Sequence, residues 1–405
     1  MRETAPKRYR LAAVTSHPVQ YQAPLFQRLA AHPGIDLTVF YGHDDSIVGC
    51  VDPDFGVPVA WDRPLLDGYQ SAVLRPHAVA PNLIGRVAAE SAIIGHLRRG
   101  RFDAVFIHSY ATRLSILAYA AALLSRTPIL LRTESELLRP RRWWVAGLKE
   151  LVVRPVLSVT DAVLVIGEAN RRFFNRYGVE AARQFWTPYA VDNEFLSSGH
   201  EALLPRRAAL RRAFGFPDDV VVVGFSGKLI PRKNAAELLD AVAALQHEGI
   251  RVGLLLVGDG PERRTLEERV RNLGLQWVAL SGFRNQTELP SCYVCFDLFV
   301  LPARFDSWGL VVNEAMACGL PVVASSMVGA ALDLIEPGRN GFVYTLGDVS
   351  ALTEIVRTLA ASSNMRTQFG VRSRAIVQDY SFAADVTGIL AALRSVAGAP
   401  AEVLA

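Results

Sequence analysis

Lysine is scarce in this chain, and half of the lysines lie in one loop. Among 405 residues there are only four lysines, and two of them, Lys228 and Lys233, belong to G-F-S-G-K-L-I-P-R-K-N at residues 224–234. Gly227 precedes the pair and allows the backbone to approach a ligand closely. Lysine is a compact point charge that suits phosphate oxygens. The loop therefore predicts a phosphate site, and the alternative is an ordinary solvated loop.

Two carboxylates form the second candidate. Asp306 and Glu314 lie in R-F-D-S-W-G-L-V-V-N-E at residues 304–314, where a predicted strand leads through a loop into a helix. The first turn of a helix presents unpaired N–H groups and a partial positive charge, which favour an anion. One carboxylate in the loop and one on the helix could hold hydroxyl groups on either side of that anion. A purely structural role for the pair is the alternative.

Three other patterns resemble cofactor-binding or metal-binding motifs, and we interpret each of them as having only a structural role. The glycines of residues 258–260 begin a G-x-G-x-x-G, but Arg263 stands at its sixth position, so the pattern predicts a tight strand–helix turn. The D-P-D at residues 52–54 resembles a metal-binding D-x-D but lies in a loop rich in Pro and Gly. The C-x-x-C at residues 292–295 has no second Cys or His pair that would complete a zinc site. We therefore expect no cofactor and no required metal.

The elements that must position these residues alternate between short apolar strands and helices, which indicates parallel sheets covered on both faces. The alternation restarts after a polar stretch, so we predict two doubly wound α/β domains, residues 1–190 and 191–381, with the tail 382–405 able to pack on the first. Ligands of such folds bind at the carboxyl ends of the strands. The predicted strands are residues 10–16, 36–41, 103–108, 128–132, 161–166, 220–225, 251–257, 277–281, 297–301, 321–324 and 341–344, and the helices predicted in the first domain are 22–32, 82–99, 112–125 and 141–154.

Composition and charge exclude several classes of protein. The chain is 51% hydrophobic and 20% charged, with few and scattered cysteines, which excludes a disordered chain and a disulfide scaffold. The net charge of +4 is too small to indicate a nucleic-acid partner. Neither a signal-peptide pattern nor an apolar run of transmembrane length is visible, so we expect a cytoplasmic protein. Residues 1–190 carry 23 Lys and Arg against 16 Asp and Glu, a net +7, which favours an anionic surface or substrate there.

Together, these segments resemble the retaining glycosyltransferases of family 4. Asp306 and Glu314 stand at the two acidic positions of that family's E-x7-E signature, and the lysine loop is similar to its diphosphate loop. V-G-D-G-P-E-R at residues 257–263 matches a further stretch, and H-P-V-Q-Y-Q-A-P-L-F at residues 17–26 resembles the first domain more loosely. The first acidic residue of the family is usually Glu, so Asp306 is shorter by a methylene. The resemblance implies the GT-B fold, in which two Rossmann-like domains face each other across a cleft.

The resemblance also implies a role for each matching residue. Lys228 and Lys233 would neutralise the diphosphate of a nucleotide sugar. Glu314 would hold the ribose hydroxyls, and Asp306 would contact the transferred sugar; these four residues form the implied catalytic group. The implied donor-binding residues are Gly227, Lys228, Lys233, Ser307, Trp308, Gly309, Leu310 and Glu314.

The acceptor or sugar side is expected in the first domain. His17, Gln20 and Tyr21 follow the first predicted strand, where a ligand-binding loop belongs. The family often has a histidine after a strand of this domain. The nearest candidates are His108 and Glu134, and the sequence leaves open whether the acceptor-side catalytic group is either of them or neither.

The sequence thus predicts a retaining glycosyltransferase that moves a sugar from a nucleotide diphosphate sugar to an acceptor. The alternatives are a non-catalytic sugar-nucleotide binder and, with less support, a nicotinamide-dependent dehydrogenase. The donor sugar, the nucleotide base, the linkage and the oligomeric state are not determined by the sequence.

A basic segment at residues 139–155 adds a membrane prediction. Trp144, Leu148 and Leu151 recur at i, i+4 and i+7 and so form one apolar helix stripe. Tryptophan beside basic residues is typical of a helix at a membrane interface. We predict contact with the inner face of an anionic membrane and a lipid-linked or membrane-proximal glycan acceptor; the alternative is a stripe that packs on the sheet. The surrounding basic residues are Arg139, Arg141, Arg142, Lys149 and Arg154.

Overall fold

The structure is a computed structural model that describes residues 8–49, 60–77, 83–139 and 143–398. The D-P-D motif at residues 52–54 and the basic residues Arg141 and Arg142 lie outside these ranges. The described residues form two units. The first unit contains residues 8–49, 63–77, 83–139, 143–189 and 382–398, and the second contains residues 60–62 and 190–381. The second unit thus includes a short segment, residues 60–62, from within the range predicted for the first domain.

The first unit is built on a parallel sheet with helices between the strands. The strands are β1 (Tyr9–Thr15), β2 (Ile35–His43), β3 (Gln70–Arg75), β4 (Ala104–His108), β5 (Ile129–Arg132), β6 (Ala162–Val165) and β7 (Gln184–Trp186), in the spatial order β3-β2-β1-β4-β5-β6-β7. The helices are α1 (Ala23–Ala31), α2 (Leu83–Gly100), α3 (Arg113–Ser125), α4 (Trp143–Ser158) and α5 (Glu168–Arg176). All strand pairs are parallel, so their carboxyl ends share one edge of the sheet.

The second unit repeats this architecture. Its strands are β8 (Val221–Ser226), β9 (Val252–Val257), β10 (Val278–Leu280), β11 (Leu298–Leu301), β12 (Val322–Ser325) and β13 (Gly341–Tyr344), in the order β10-β9-β8-β11-β12-β13. Its helices are α6 (Asn193–Leu203), α7 (Arg207–Ala213), α8 (Ala236–His247), α9 (Arg263–Asn272), α10 (Leu289–Tyr293), α11 (Leu310–Ala317), α12 (Ala331–Leu334), α13 (Val349–Ala361) and α14 (Ser363–Val377). Strands β9, β11 and β12 are buried along their whole length, as apolar strands covered on both faces must be.

The structure confirms the predicted α/β class, and every predicted strand is present with ends within two residues of the prediction. Strands β3 and β7 were missed. Both lie at an edge of the first sheet, and neither has a fully buried residue. An edge strand has one neighbour instead of two, so it carries less of the continuous apolar pattern by which the inner strands are recognised.

The last helix, α15 (Phe382–Ala397), belongs to the first unit although it follows the second unit in sequence. It packs on β6 and β7, and a Cβ at Gly388 would lie 1.9 Å from the carbonyl oxygen of Trp186. A buried ion pair fixes it: both guanidinium Nη atoms of Arg132 donate to the carboxylate of Asp385, one of them at 3.0 Å. Each of these two side chains is only 2% exposed.

Helix α4 contains the segment for which a membrane interface was predicted. Its inner residues Val153 and Leu157 are buried, whereas Leu151 is 73% exposed. The alternative in which the stripe packs on the sheet is therefore wrong at Leu151. The side chains of Trp144 and Leu148 lie outside the described part of the structure. Within the described ranges, no helix has both the length and the apolar composition needed to cross a bilayer.

Candidate functional site

The two loops singled out in the sequence follow adjacent strands of the second unit. Strands β8 and β11 pair in parallel, so the segments that leave their carboxyl ends run side by side. A backbone hydrogen bond of 2.8 Å from the Arg304 amide to the Arg232 carbonyl oxygen joins the two segments directly. The sheet topology therefore brings the lysine loop and the acidic loop to one place.

The contact between the loops is made by residues predicted for the site. The Nζ atom of Lys233 lies 2.5 Å from Oδ2 of Asp306, and the two side chains are only 12% and 11% exposed. An ion pair shielded from water to this degree interacts more strongly than one on the surface. Lys233 and Asp306 therefore form a directly coupled pair.

Asn234 connects the two loops and was not predicted. Its side-chain amide donates to the Pro302 carbonyl oxygen at 3.2 Å, and its Oδ1 accepts from Nε of Arg304 at 3.2 Å. The same amide also donates to the carboxylate of Glu237 on α8. Its backbone has φ 57°, a left-handed conformation that Asn tolerates better than most residues. An Asn directly after the loop lysine and just before a helix was the signal available in the sequence.

The glycines of both loops have backbone conformations that favour glycine, and one of them is also packed closely. Gly227 has φ 148° and Gly258 has φ 137°, and a Cβ on Gly258 would lie 1.9 Å from the Gly227 carbonyl oxygen. The residue that breaks the dinucleotide pattern, Arg263, instead makes an ion pair of 2.9 Å with Asp259. This geometry agrees with the tight-turn interpretation of V-G-D-G-P-E-R. The loop after β9 thus lies against the lysine loop after β8.

Helix α11 begins directly after the acidic loop. Gly309 caps it with φ 98°, and the Trp308 amide donates to Oδ1 of Asp306 at 3.4 Å. The Trp308 indole is buried and donates to Oδ1 of Asn313 at 2.9 Å, which fixes the turn before the helix. Ser307 and Leu310 lie on either side of this turn. The implied donor-binding residues 307–310 are therefore held next to the ion pair of Lys233 and Asp306.

Glu314 lies on α11 and is buried, with 3% of its surface exposed. The hydroxyl of Tyr293, at the end of α10, donates to Oε2 of Glu314 at 2.6 Å. Tyr293 is itself fully buried, and its ring packs on Phe296 and Phe299. Tyr293 was not predicted, because the C-x-x-C in which it lies was interpreted only through its two cysteines. It fixes the carboxylate that the family resemblance assigns to ribose.

We expect Tyr293→Phe to weaken binding of UDP or GDP by about two- to tenfold, because it removes one hydrogen bond that orients Glu314. The ring and its packing are kept, so the fold should be retained. Calorimetry with the nucleotide and with inorganic pyrophosphate separates the effects. Pyrophosphate affinity should stay unchanged, because pyrophosphate has no ribose; an equal loss for both ligands would show that Tyr293 supports the loops generally.

The acceptor-side candidates lie at the carboxyl edge of the first unit's sheet. His17 follows β1, where its Nδ1 lies 2.9 Å from Oγ of Ser16 and its ring stacks on His43 at 5.2 Å. Gln20 and Tyr21 lie in the turn before α1. The structure places these residues on loops, as predicted, and their roles remain predictions.

The two alternatives for the acceptor-side catalytic group differ in environment. Glu134 accepts a hydrogen bond of 2.6 Å from the Tyr189 hydroxyl. Burial, with the Arg132 charge nearby, lowers the pKa of His108 to about 3, so its ring is neutral near pH 7. Its Nδ1 lies 3.4 Å from the amide of Gln22, and its Nε2 is buried without a hydrogen-bond partner among the described residues. His108 could therefore act as a neutral hydrogen-bonding group and not as a cation.

The described residues include no group of three or more His, Cys, Asp and Glu side chains arranged to hold a metal ion. Cys292 and Cys295 are buried and carry free thiols. Burial raises the pKa of Cys292 to about 11 and that of Cys295 to about 12, so both thiols stay protonated near pH 7. The absence of a metal requirement stays a prediction.

Sequence comparisons agree with the position of the site. Residues 206–375 match the family model of the glycosyl transferases group 1. The chain is 30% identical over 241 residues to the GDP-mannose-dependent alpha-(1-6)-phosphatidylinositol monomannoside mannosyltransferase of Mycolicibacterium smegmatis, over 57% of this chain and 61% of the relative. It is 25% identical over 374 residues to sulfoquinovosyl transferase SQD2 of Arabidopsis thaliana, over 90% of this chain and 68% of the relative. The chain thus spans 61% to 68% of the length of these curated relatives.

A comparison of structures extends the likeness to nearly the whole chain. The crystal structure of Anabaena HepE in complex with UDP superimposes with a TM-score of 0.74 and 20% identity, covering 96% of this chain and 100% of HepE. At this level of identity the likeness concerns the fold, and it includes both sheets.

Proposed function

Because this chain is a GT-B protein of the glycosyltransferase family 4 type, we propose that it is a retaining glycosyltransferase that uses a nucleotide diphosphate sugar. The observation that carries the proposal is the 2.5 Å contact between Lys233 and Asp306. A residue assigned to the diphosphate and a residue assigned to the sugar thus meet in adjacent loops. Both loops follow the carboxyl ends of strands, where α/β folds bind their ligands.

The proposed reaction exchanges two bonds at the anomeric carbon. The bond to the diphosphate oxygen breaks, the acceptor oxygen bonds on the same face of the sugar, and the acceptor proton passes to the leaving phosphate. Negative charge grows on the diphosphate while the sugar becomes oxocarbenium-like. Lys228, Lys233 and the first N–H groups of α11 would stabilise the diphosphate, and Asp306 would face the cationic sugar. Such preorganised electrostatic stabilisation is usually the largest contribution to catalysis.

In this proposal the ion pair with Asp306 also fixes the position of the Lys233 ammonium group before the donor binds. Asp306 holds the ammonium group in place while the side chain is largely shielded from water. A diphosphate that binds beside it would meet a lysine whose position is already fixed, so less side-chain entropy would be lost on binding. The same pair would place Asp306 next to the phosphate end of the donor, where the anomeric carbon lies.

The acceptor is proposed to be a glycan or a lipid-linked glycan at the inner face of a membrane. His17, Gln20 and Tyr21 would contribute to its site in the first unit, together with His108 or Glu134. A relative named for phosphatidylinositol monomannoside supports a lipid-linked acceptor. That relative uses GDP-mannose and HepE binds UDP by their names, so guanosine and uridine donors are both to be tested.

Single substitutions of the two carboxylates test the proposal, because each is expected to affect a different step. Glu314→Ala should weaken binding of free UDP or GDP, because Glu314 is assigned to the ribose. Asp306→Asn should change that affinity little, since the loss of a negative charge beside Lys233 offsets the loss of the contact that fixes the lysine, and it should mainly reduce sugar transfer. Calorimetry with the free nucleotides and a donor-consumption assay measure the two effects.

Equal loss of nucleotide affinity in the two variants would contradict the assigned roles. A chain that binds nucleotide sugars tightly and yet neither transfers nor hydrolyses any of them would be a sugar-nucleotide binder. The short Asp306, which replaces the usual Glu, is the feature that favours this second candidate.

A further inference from the structure

Helix α3 presents apolar residues to solvent. Its residues from Leu114 to Leu124 include no charged side chain. The inner face is buried, and yet the outer residues Ile116, Leu123 and Leu124 are 61%, 49% and 74% exposed. A helix that is apolar on all sides is normally buried in a protein core or in a membrane. The outer face of α3 therefore lacks the polar residues expected of a helix that faces water.

Helix α4, a neighbour of α3, also exposes apolar residues. Its outer residues Leu151 and Val152 are 73% and 56% exposed, and Val159, directly after the helix, is 40% exposed. The two helices are neighbours in one layer, because the Tyr119 hydroxyl on α3 lies 2.9 Å from Oγ1 of Thr160, just after α4. Val156 of α4 also packs against the core cluster to which α3 contributes. The α3–α4 surface is defined by Ile116, Leu123, Leu124, Leu151, Val152 and Val159.

Basic residues surround the α3–α4 surface. Arg126, the residue that caps α3, is exposed and lies two residues after Leu124. Arg98 and Arg99 are exposed at the end of α2, which packs against α3. Since α2 and α3 each lead into the next strand of a parallel sheet, their last turns lie at the same edge of the unit. Exposed arginines therefore adjoin the exposed leucines.

Two acidic residues near this surface are paired with arginines. Glu90 of α2 binds Arg113 through two hydrogen bonds of 2.6 and 2.9 Å. Glu150 of α4 is shared by two arginines, Arg154 at 3.5 Å and Arg176 at 2.7 Å. The exposed Asp161, two residues after Val159, accepts a hydrogen bond of 2.8 Å from the Ile129 amide. The net charge of residues 1–190 is nevertheless +7, from 23 basic and 16 acidic residues.

We infer that the α3–α4 surface binds an anionic lipid bilayer, with its aliphatic side chains at the boundary between head groups and acyl chains. This partner rests on the membrane-proximal acceptor of the proposed function and identifies the surface responsible. Exposed aliphatic residues bordered by arginines match the composition of interfacial helices, and basic residues add attraction to anionic head groups. The cores of protein–protein interfaces are instead enriched in aromatic residues and Met, which the exposed part of this surface lacks.

Vesicle co-sedimentation of the full chain tests this inference. The chain should bind vesicles that contain phosphatidylglycerol more tightly than vesicles of phosphatidylcholine alone, and salt should weaken the binding. Leu124→Ser combined with Leu151→Ser should lower the partition coefficient by about tenfold or more, because two exposed leucines no longer enter the bilayer. Arg126→Ser should lower it by about fivefold, and only for the anionic vesicles.

A matched control is available in the second unit. Val371 on α14 is 67% exposed, similar to the two leucines, so Val371→Ser should leave vesicle binding unchanged. Thermal unfolding of all variants checks that the fold is kept, which the exposure of these positions favours. Measuring UDP and GDP affinity in parallel separates the two proposals, because lost nucleotide binding would affect only the proposed function.

Three results would overturn the inference. The first is equal vesicle binding by the double leucine variant and the unmodified chain. The second is equal binding to neutral and anionic vesicles, or none at low salt. The third is a concentration-dependent dimer that the double variant abolishes while vesicles bind neither form, which would assign the surface to a second copy of the chain.

Discussion

Lys233→Ala is expected to weaken binding of UDP or GDP by about 10- to 150-fold, because a hydrogen bond to a charged group contributes about 1.5–3 kcal/mol. The side chain is only 12% exposed, so solvent screens its interaction with the diphosphate weakly. The substitution also leaves Asp306 without its cation, so an unbalanced carboxylate would then repel the phosphates. Both effects act in the same direction, and calorimetry with the free nucleotides measures their sum.

Arg232→Ala provides the matched control, since Arg232 is the adjacent basic residue in the same loop and its side chain is exposed. It should change the nucleotide affinity far less than Lys233→Ala. If the two substitutions weaken binding equally, the loop attracts anions through its general charge, and the specific role of Lys233 is wrong. Combining Lys233→Ala with Asp306→Asn should recover part of the lost affinity, because the uncompensated carboxylate is removed.

Asp385→Ala is expected to lower the free energy of unfolding by about 3–5 kcal/mol, because it leaves the buried Arg132 guanidinium without its counter-charge. Arg132 is 1% exposed and accordingly has almost no access to water. The guanidinium also lies 5.5 Å from the Phe106 ring and 5.8 Å from the Tyr189 ring, contacts too weak to replace a carboxylate. Urea denaturation of the full chain, followed by circular dichroism, measures the change.

Thr387→Ala is the control on the same helix, since Thr387 is exposed and its hydroxyl bonds only locally to the Ala383 carbonyl oxygen. It should alter the stability by a few tenths of a kcal/mol. Replacing both partners, Arg132→Met with Asp385→Leu, should restore most of the stability, because the buried charge is removed with its partner. Unfolding of Asp385→Ala at the same urea concentration as the unmodified chain would show that the pair does not hold α15.

The amino-acid sequence by itself determined the fold class and the loops of the candidate site. Inner parallel strands must be apolar along their length, so β4, β8 and β11 could be recognised from composition alone. The lysine loop was recognisable because two of only four lysines follow one such strand, and the acidic loop because two carboxylates flank the predicted start of a helix after another strand. Apolar strands and the residues that follow them are local features of the chain, so the sequence alone is enough to locate them.

The tertiary structure alone decided which residues meet. Lys233 and Asp306 are separated by 73 positions, and their contact follows from the adjacency of β8 and β11. Strands β3 and β7 were hidden because edge strands need less apolar surface. Helix α15 returns to the first unit, where Asp385 pairs with Arg132 although the two residues are 253 positions apart. The apolar sequence of α3 does not show which of its faces is exposed, because the position of the neighbouring elements determines which side water reaches.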